Sequence, residues 1–168
     1  KVSLVCPGDH PSVAHFRGLG QLGATHFAAL FAERETLTET DIAFADKVYR
    51  AYAAQDPRDL TAMVEQEFPA VFPFLKRAIQ NHLNRFPEKE SGLSKEEKHI
   101  LSFLEPQPAS KHKWVGAVMR NEDGWIGYGD LQYFHLVERL SPLFEEKEEA
   151  VVLNETGKAV LAGKRNFL

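Results

Sequence analysis

Residues 151–164 read VVLNETGKAVLAGK. The apolar triplet Val151, Val152 and Leu153 runs straight into Asn154, and a helical pattern begins with almost no loop between. Asparagine favours the N-cap because its side-chain oxygen accepts an otherwise free N–H of the first helical turn. A short strand that empties into a capped helix suits the return arm of a hairpin. Upstream, LFEE (143–146) and EAVVL (149–153) predict two short antiparallel strands, and the helix after Asn154 is the one this hairpin delivers back to the core.

Three helices are expected ahead of that hairpin. Ser94 and Glu97 form a capping box before Ile100, Leu101 and Leu104. EPQPAS (105–110) interrupts, and Ser110 caps a helix carrying Trp114, Val115 and Val118. After the turn-rich NEDGWIGYG (121–129), Asp130 caps a third helix with Tyr133, Phe134, Val137 and Leu140 turned inward, and Pro142 ends it. By count and order of elements, residues 92–168 match a winged helix-turn-helix.

The first half reads differently. VSLVC (2–6) predicts a buried strand, and nothing later in the chain offers it a ladder partner. The expectation is that it ends a truncated α/β domain or pairs with a second copy of the chain. Helices follow at 24–33, with Phe27, Leu30 and Phe31 on one face, and after the Thr38/Asp41 cap, where Ile42, Ala45, Val48, Tyr49 and Tyr52 recur at helical spacing. Asp56 and Pro57 restart the chain into a helix with Leu60, Met63 and Val64. Pro69 stops it, and Pro73 opens another in which Leu75, Ile79 and Leu83 lie four apart. RFPEKESGLS (85–94) marks a boundary, giving domains 1–91 and 92–168. The fold class is mainly α (α+β): a helical segment after one strand of an α/β domain, then a winged helix.

Composition excludes several classes. The chain has 168 residues, 43% hydrophobic and 26% charged, as in a soluble globular protein. Its apolar runs are too short to span a membrane, and its start lacks the apolar core of a secretory signal. The single Cys6 rules out an internal disulfide framework and suits a cytoplasmic setting. The net charge of −4 is spread evenly, with 12 acidic and 10 basic residues on each side of the 91/92 boundary, so neither part is a basic nucleic-acid module.

Five stretches carry a family resemblance: SLVCPGDHPSVAHFRGLGQL (3–22), FPFLKRAIQNHLNRFP (72–87), GLSKEEKHIL (92–101), GDLQYFHLVERL (129–140) and LNETGKAVLAGKRNF (153–167). Together they resemble a group of bacterial proteins with an N-terminal region catalogued as domain of unknown function 1835. The resemblance implies an α/β segment ahead of Lys1 and no particular activity. Gly23 departs from it, standing where a Ser or Thr helix cap is more usual. VVLNETGKAVLAG also resembles the wing-and-helix ending of many bacterial winged-helix regulators.

Candidate chemistry gathers in PGDHPSVAHFRGLGQ (7–21). Ligands of α/β sheets collect beyond strand carboxyl ends, where this loop lies. Gly18 and Gly20 let backbone N–H groups approach an anion, Arg17 suits a phosphate or carboxylate, and Asp9, His10 and His15 suit acid–base work. No G-x-G-x-x-G or phosphate-loop lysine supports this, so a structural turn is the default. Cys6 oriented by His10 or His15 is a nucleophile on paper, but a strand cysteine is more often a small hydrophobe. His26, His82, His99, His112 and His135 are scattered singly, so neither metal nor cofactor is expected.

On the third helix of the second domain, Gln132, His135 and Arg139 are candidates for contacting DNA or a protein partner. The wing tip, Glu145, Glu146, Lys147, Glu148 and Glu149, is acidic and opposes phosphate binding. Lys111, Lys113, Arg120, Lys164 and Arg165 offer a partial basic footprint. The reading is a non-catalytic binding or regulatory protein acting through protein contacts or self-association. The alternatives are a DNA-binding regulator, or an anion- or nucleotide-binding enzyme with its site in loop 9–21.

Overall fold

The computed structural model describes residues 1–168 apart from Asp9, Pro11, His15, Arg17 and residues 106–107 and 121–127. Among the described residues it is helix-rich α+β, with eight α-helices and two small antiparallel sheets, in two compact units, Lys1–Leu83 and Asn84–Leu168.

The first unit contains β1 (Ser3–Leu4), α1 (Ala24–Ala32), β2 (Glu35–Thr36), α2 (Glu39–Ala53), α3 (Arg58–Val64) and α4 (Leu75–Leu83). Helix starts follow their local signals. Thr38 Oγ1 accepts from Asp41 N–H at 3.1 Å while Asp41 accepts from Thr38 N–H at 2.9 Å, the reciprocal box. Pro57 adopts helical backbone angles, and Asp56 accepts the Arg58 N–H at 2.9 Å. The Arg58 guanidinium also holds the Asp56 carboxyl down at about 2.

Two expectations about this unit fail. The strand is shorter than 2–6, is not buried (Val2 is 51% exposed), and has a partner within the chain. Ser3 pairs with Thr36 and Leu4 with Glu35, and Leu37 N–H donates to Val2 C=O at 3.0 Å. Glu35 and Thr36 are exposed and polar, so no apolar alternation marked them as a strand. The energetic motive for pairing with a second chain is thereby removed.

The apolar stripe of α2 is also rotated from the expected one. Val48 is buried with Phe44 and Ala51 beside it, against Leu60, Met63 and Ile79, while Ile42, Tyr49 and Tyr52 face outward. Spacing alone fits either stripe, and α3 and α4 choose. In α1, Phe27 and Phe31 are exposed instead of lining a core.

The second unit contains α5 (Lys95–Ser102), α6 (Lys111–Arg120), α7 (Asp130–Arg139), a 3-10 turn (Ser141–Leu143), β3 (Phe144–Lys147), β4 (Ala150–Leu153) and α8 (Glu155–Leu161). One core joins them, built on Leu93, Ile100, Trp114, Tyr133, Leu140 and Val160 with their neighbours. The buried Trp114 indole donates to Ile100 C=O at 2.7 Å, so its polar atom is satisfied. The Ser94/Glu97 box forms as expected. Helix α7, however, is capped by Gly129, with Asp130 already helical, and Gln132 Oε1 accepting the Gly129 N–H at 2.9 Å.

β3 and β4 form the expected hairpin, with Phe144 opposite Leu153 and Lys147 opposite Ala150. The turn at Glu148–Glu149 has Glu148 at φ 58°, the left-handed region common in two-residue hairpin loops. An unforeseen third member joins the sheet: Ala109, between α5 and α6, exchanges backbone hydrogen bonds with Val151 at 2.9 and 3.4 Å.

The units divide at Leu83/Asn84, ahead of the expected 91/92 boundary. Residues 84–91 are held to the second unit by hydrogen bonds to their backbone carbonyls. Lys95 N–H donates to Asn84 C=O, Phe167 N–H to Ser91 C=O, and the Asn166 amide to Lys89 C=O. Gly92, at φ 68°, lies where a Cβ would come within 2.5 Å of Asn166 Oδ1. The proline, charges and glycine of this stretch shape a clasp.

Asn154 closes the hairpin. Its Oδ1 accepts from Gly157 N–H at 2.8 Å, its amide donates to Pro142 C=O at 3.0 Å, and its own N–H donates to Leu143 C=O at 3.2 Å. A Cβ on Gly157 would meet that Leu143 oxygen at 2.0 Å, whereas one on Gly116 of α6 meets only the movable end of Arg120 at 3.1 Å. Gly157→Ala is therefore expected to destabilise the second unit by about 2 kcal/mol or more, and Gly116→Ala to be neutral or to stabilise by up to about 1 kcal/mol. Urea unfolding of both variants checks this, and equal effects would rule out the Leu143 carbonyl as the constraint.

Candidate functional site

Of the six loop residues nominated from the sequence, Asp9, His15 and Arg17 lie outside the described residues. His10, Gly18 and Gly20 are described. Gly18 has φ 152°, a conformation glycine favours, and it leads into a 3-10 turn at Leu19–Gln21. A Cβ at Gly18 or Gly20 would meet nothing within 4 Å, so neither glycine is there for close packing.

His10 C=O accepts from Val13 N–H at 2.9 Å, and its Nδ1 accepts from Ser12 N–H at 3.3 Å. Its ring stands edge-on to His26 at 4.8 Å between centroids. His26, in the first turn of α1, accepts the Gly23 N–H at Nδ1 (3.3 Å), the reciprocal bond to a helix start at which Gly23 has no side chain to cap the first turn. Sequence spacing gave no sign of this imidazole pair, because the partners are 16 residues apart and only the fold joins them. Both Nδ1 atoms accept, so each neutral ring carries its proton on Nε2. A metal-bound histidine does the opposite, donating from its second nitrogen. No group of three or more His, Cys, Asp or Glu among the described residues is arranged to hold a metal.

Cys6 is exposed beside a cleft of about 180 Å³, lined by Pro7, Leu30, Glu33, Glu35, Val71 and Pro73 among others and, among the described residues, by no imidazole. The cysteine–histidine arrangement considered from the sequence has no support there from His10. No helix among the described residues is long and apolar enough to cross a membrane.

The outward face of α7 is the second candidate. Gln132 is engaged as the reciprocal cap of Gly129. Arg139 is drawn to Glu97 of α5, its Nε 3.2 Å from a carboxylate that is only 2% exposed. His135 faces outward, beside a residue the sequence reading passed over: Leu131, 79% exposed. A pattern search finds apolar residues that recur at core spacing, and a lone Leu in the first turn gives no such signal.

The hairpin charges are partly internal. Glu145 pairs with Lys147 and Glu146 with Lys111, leaving Glu148 and Glu149 at the turn. Of the basic residues considered for a phosphate footprint, Lys111 is thus engaged, and Arg165 donates to Thr156 Oγ1 at 3.2 Å. An open groove of about 960 Å³ runs beside β3, β4 and α8, with Glu105, Glu145 and Glu155 set against Lys147, Lys158 and Lys164. Its charges are mixed, and two of these acids face bases, Glu145 toward Lys147 and Glu155 toward Lys158.

No protein-family model, curated protein or solved structure matches this chain.

Arg139→Ala strips the cation from a buried carboxylate, so a loss of about 1–3 kcal/mol from the second unit is expected. His135→Ala, on the same helix but facing solvent, is expected to change stability by less than about 0.5 kcal/mol. Urea midpoints of the two variants, measured side by side, check this.

Proposed function

We propose that the second unit is a winged helix-turn-helix module and that the protein is a non-catalytic binding or regulatory protein acting through contacts of that module with other proteins. The fold reading is supported by the order helix, bridging residue, helix, helix, hairpin, with Ala109 serving as the third sheet member beside β4. The stretches quoted above support a further proposal, membership of the bacterial group to which the chain is similar. That likeness favours no reaction.

One observation carries the preference for protein contacts. On the helix that would enter a DNA groove, the lone arginine is engaged by Glu97 and the most exposed apolar side chain is Leu131. A DNA reader needs cations toward phosphates, because neutralising them supplies most of the affinity. Here the hairpin turn presents Glu148 and Glu149 instead. An exposed leucine flanked by polar side chains suits the apolar centre and polar rim of a protein interface.

Fluorescence anisotropy with random duplex DNA across a salt series tests the reading. Weak binding with a shallow salt dependence is expected. Replacing Glu148 and Glu149 together by Lys should tighten it and steepen the log–log slope by about 2, near one unit per phosphate gained. Tight, steeply salt-dependent binding by the unaltered protein would overturn the preference. Light scattering over a concentration series reads whether the contact is to a second copy, in which case Leu131→Glu is expected to shift the protein toward monomer.

A further inference from the structure

One flank of α2 carries an apolar stripe that does not enter the core. Ile42, Ala45, Tyr49 and Ala53 recur at spacings of three, four and four, turned by about 100° from the buried Val48. Ile42 is 42% exposed and Tyr49 65%. Tyr52, nearer the core side, has its ring 4.8 Å from that of His82 of α4, so it belongs less to the stripe. Exposed apolar side chains scattered singly are ordinary. A stripe that runs the length of a 15-residue helix at alternating three- and four-residue steps is the pattern by which helices pair.

The unit around this helix is short of burial. Its hydrophobic cluster holds four buried residues, Val48, Leu60, Met63 and Ile79, few for the span Lys1–Leu83, and α1 buries none. Association is one of the means by which a small core is supplemented.

Symmetry and charge decide what fits the stripe. Acids stand in the first turn of α2, Glu39 and Asp41, and Arg50 stands in its last turn. Two copies of α2 set antiparallel, with the two-fold axis at Ala45, place Ile42 of each copy against Tyr49 of the other, three and four residues from the axis. Ala45 meets itself at the crossing, where a small side chain lets the backbones approach. An antiparallel two-fold sets each flank against its own counterpart. In the same register, therefore, Glu39 of one copy meets Arg50 of the other, six and five residues from the axis on the flank beside the stripe. Both apolar contacts and both charge contacts form together. A parallel pair would instead set Glu39 against Glu39 and Arg50 against Arg50. Arg50 already lies 2.7 Å from Asp46 through Nε, in an exposed pair, and its remaining N–H groups are the ones that reach Glu39 of the second copy.

We propose that this flank of α2 is a self-association face, and that its occupant is α2 of a second copy of the chain in antiparallel register about Ala45. The inference concerns the first unit alone and does not rest on the reading of α7.

Sedimentation equilibrium of the full chain from about 1 µM to about 1 mM tests it. A concentration-dependent dimer is expected, and a weak one, because two helix faces make a contact at the small end of specific interfaces. Tyr49→Glu puts a carboxylate at each apolar contact and is expected to raise the dissociation constant by about thirtyfold or more. Arg50→Glu sets like charges together and is expected to raise it about three- to tenfold. Adding Glu39→Arg to Arg50→Glu exchanges the two charges and is expected to restore the constant to within about threefold. Lys47→Glu, on the opposite side of α2, makes the same change in net charge as Arg50→Glu and is expected to leave association as it is. These side chains are exposed, and circular dichroism with a urea midpoint confirms that each variant keeps its fold. A chain that stays monomeric over the whole range, or a dimer that Tyr49→Glu leaves intact, would overturn the proposal. A double variant that associates no better than Arg50→Glu would overturn it as well, by removing the antiparallel register. Leu131→Glu, in the second unit, reads the contact of α7 and leaves the Glu39 and Arg50 pattern unchanged, so the two readings fail separately.

Discussion

The backbone carbonyl of Leu143 is the point on which the second unit closes. Leu143 is buried at the end of the turn leading into the hairpin, and its oxygen receives the N–H of Asn154 as the chain leaves the hairpin. The Asn154 amide holds the adjoining Pro142 carbonyl, and its Oδ1 caps α8. Start, finish and onward helix of the hairpin therefore meet within a few atoms. A one-residue slip in a hairpin would turn its apolar face outward. Here the slip is blocked at the open end as well as at the turn. Gly157 is required by the same closeness, because α8 approaches the Leu143 oxygen more nearly than a side chain allows.

With that register set, Val151 points into the core and its backbone reaches Ala109. The link between α5 and α6 is thus tied to the hairpin, and the three helices close around Trp114, Tyr133 and Leu140. Polar atoms within this core differ in how fully they are matched. The Trp114 indole and Glu97 Oε2 have hydrogen-bond partners, whereas Glu96 Oε1, Glu97 Oε1, the Tyr133 hydroxyl and His99 Nε2 have none, Glu97 Oε1 meeting only the charge of Arg139. Unmatched buried polar groups are expensive, so where a core retains them they are the places at which its stability responds to conditions.

The electrostatics of the α7 face follow from the same core. Arg139 is turned toward a carboxylate that the capping box requires, and Gln132 is turned back onto its own helix start. Side chains that look free for recognition on a helical wheel are engaged in building the module. What remains outward is a leucine, an imidazole and the acidic hairpin turn. In the first unit, by contrast, the exposed aromatic and aliphatic residues outnumber the four buried in its core.

Local signals in the sequence were enough for the elements. Caps at Thr38, Ser94, Ser110 and Asn154 and the break at Asp56–Pro57 stand where neighbouring residues place them, because each depends on bonds spanning four residues or fewer, and the hairpin near 144–153 pairs residues no more than nine apart. The α2 stripe, the strand partner of Ser3–Leu4 and the Ala109 bridge depended on residues distant in the chain. Periodicity near residue 48 accommodates two faces, and only α3 and α4 choose between them. Glu35 and Thr36 pair through backbone groups that every residue possesses, so their side chains carried no sign of it. The site followed the same division. Gln132, His135 and Arg139 lie on one exposed face of α7, but tertiary structure decided which were free, because a buried Glu97 outcompetes solvent for the nearest guanidinium. The pairing of His10 with His26 was likewise decided in three dimensions, since contacts between side chains far apart in sequence exist only once the backbone between them has folded.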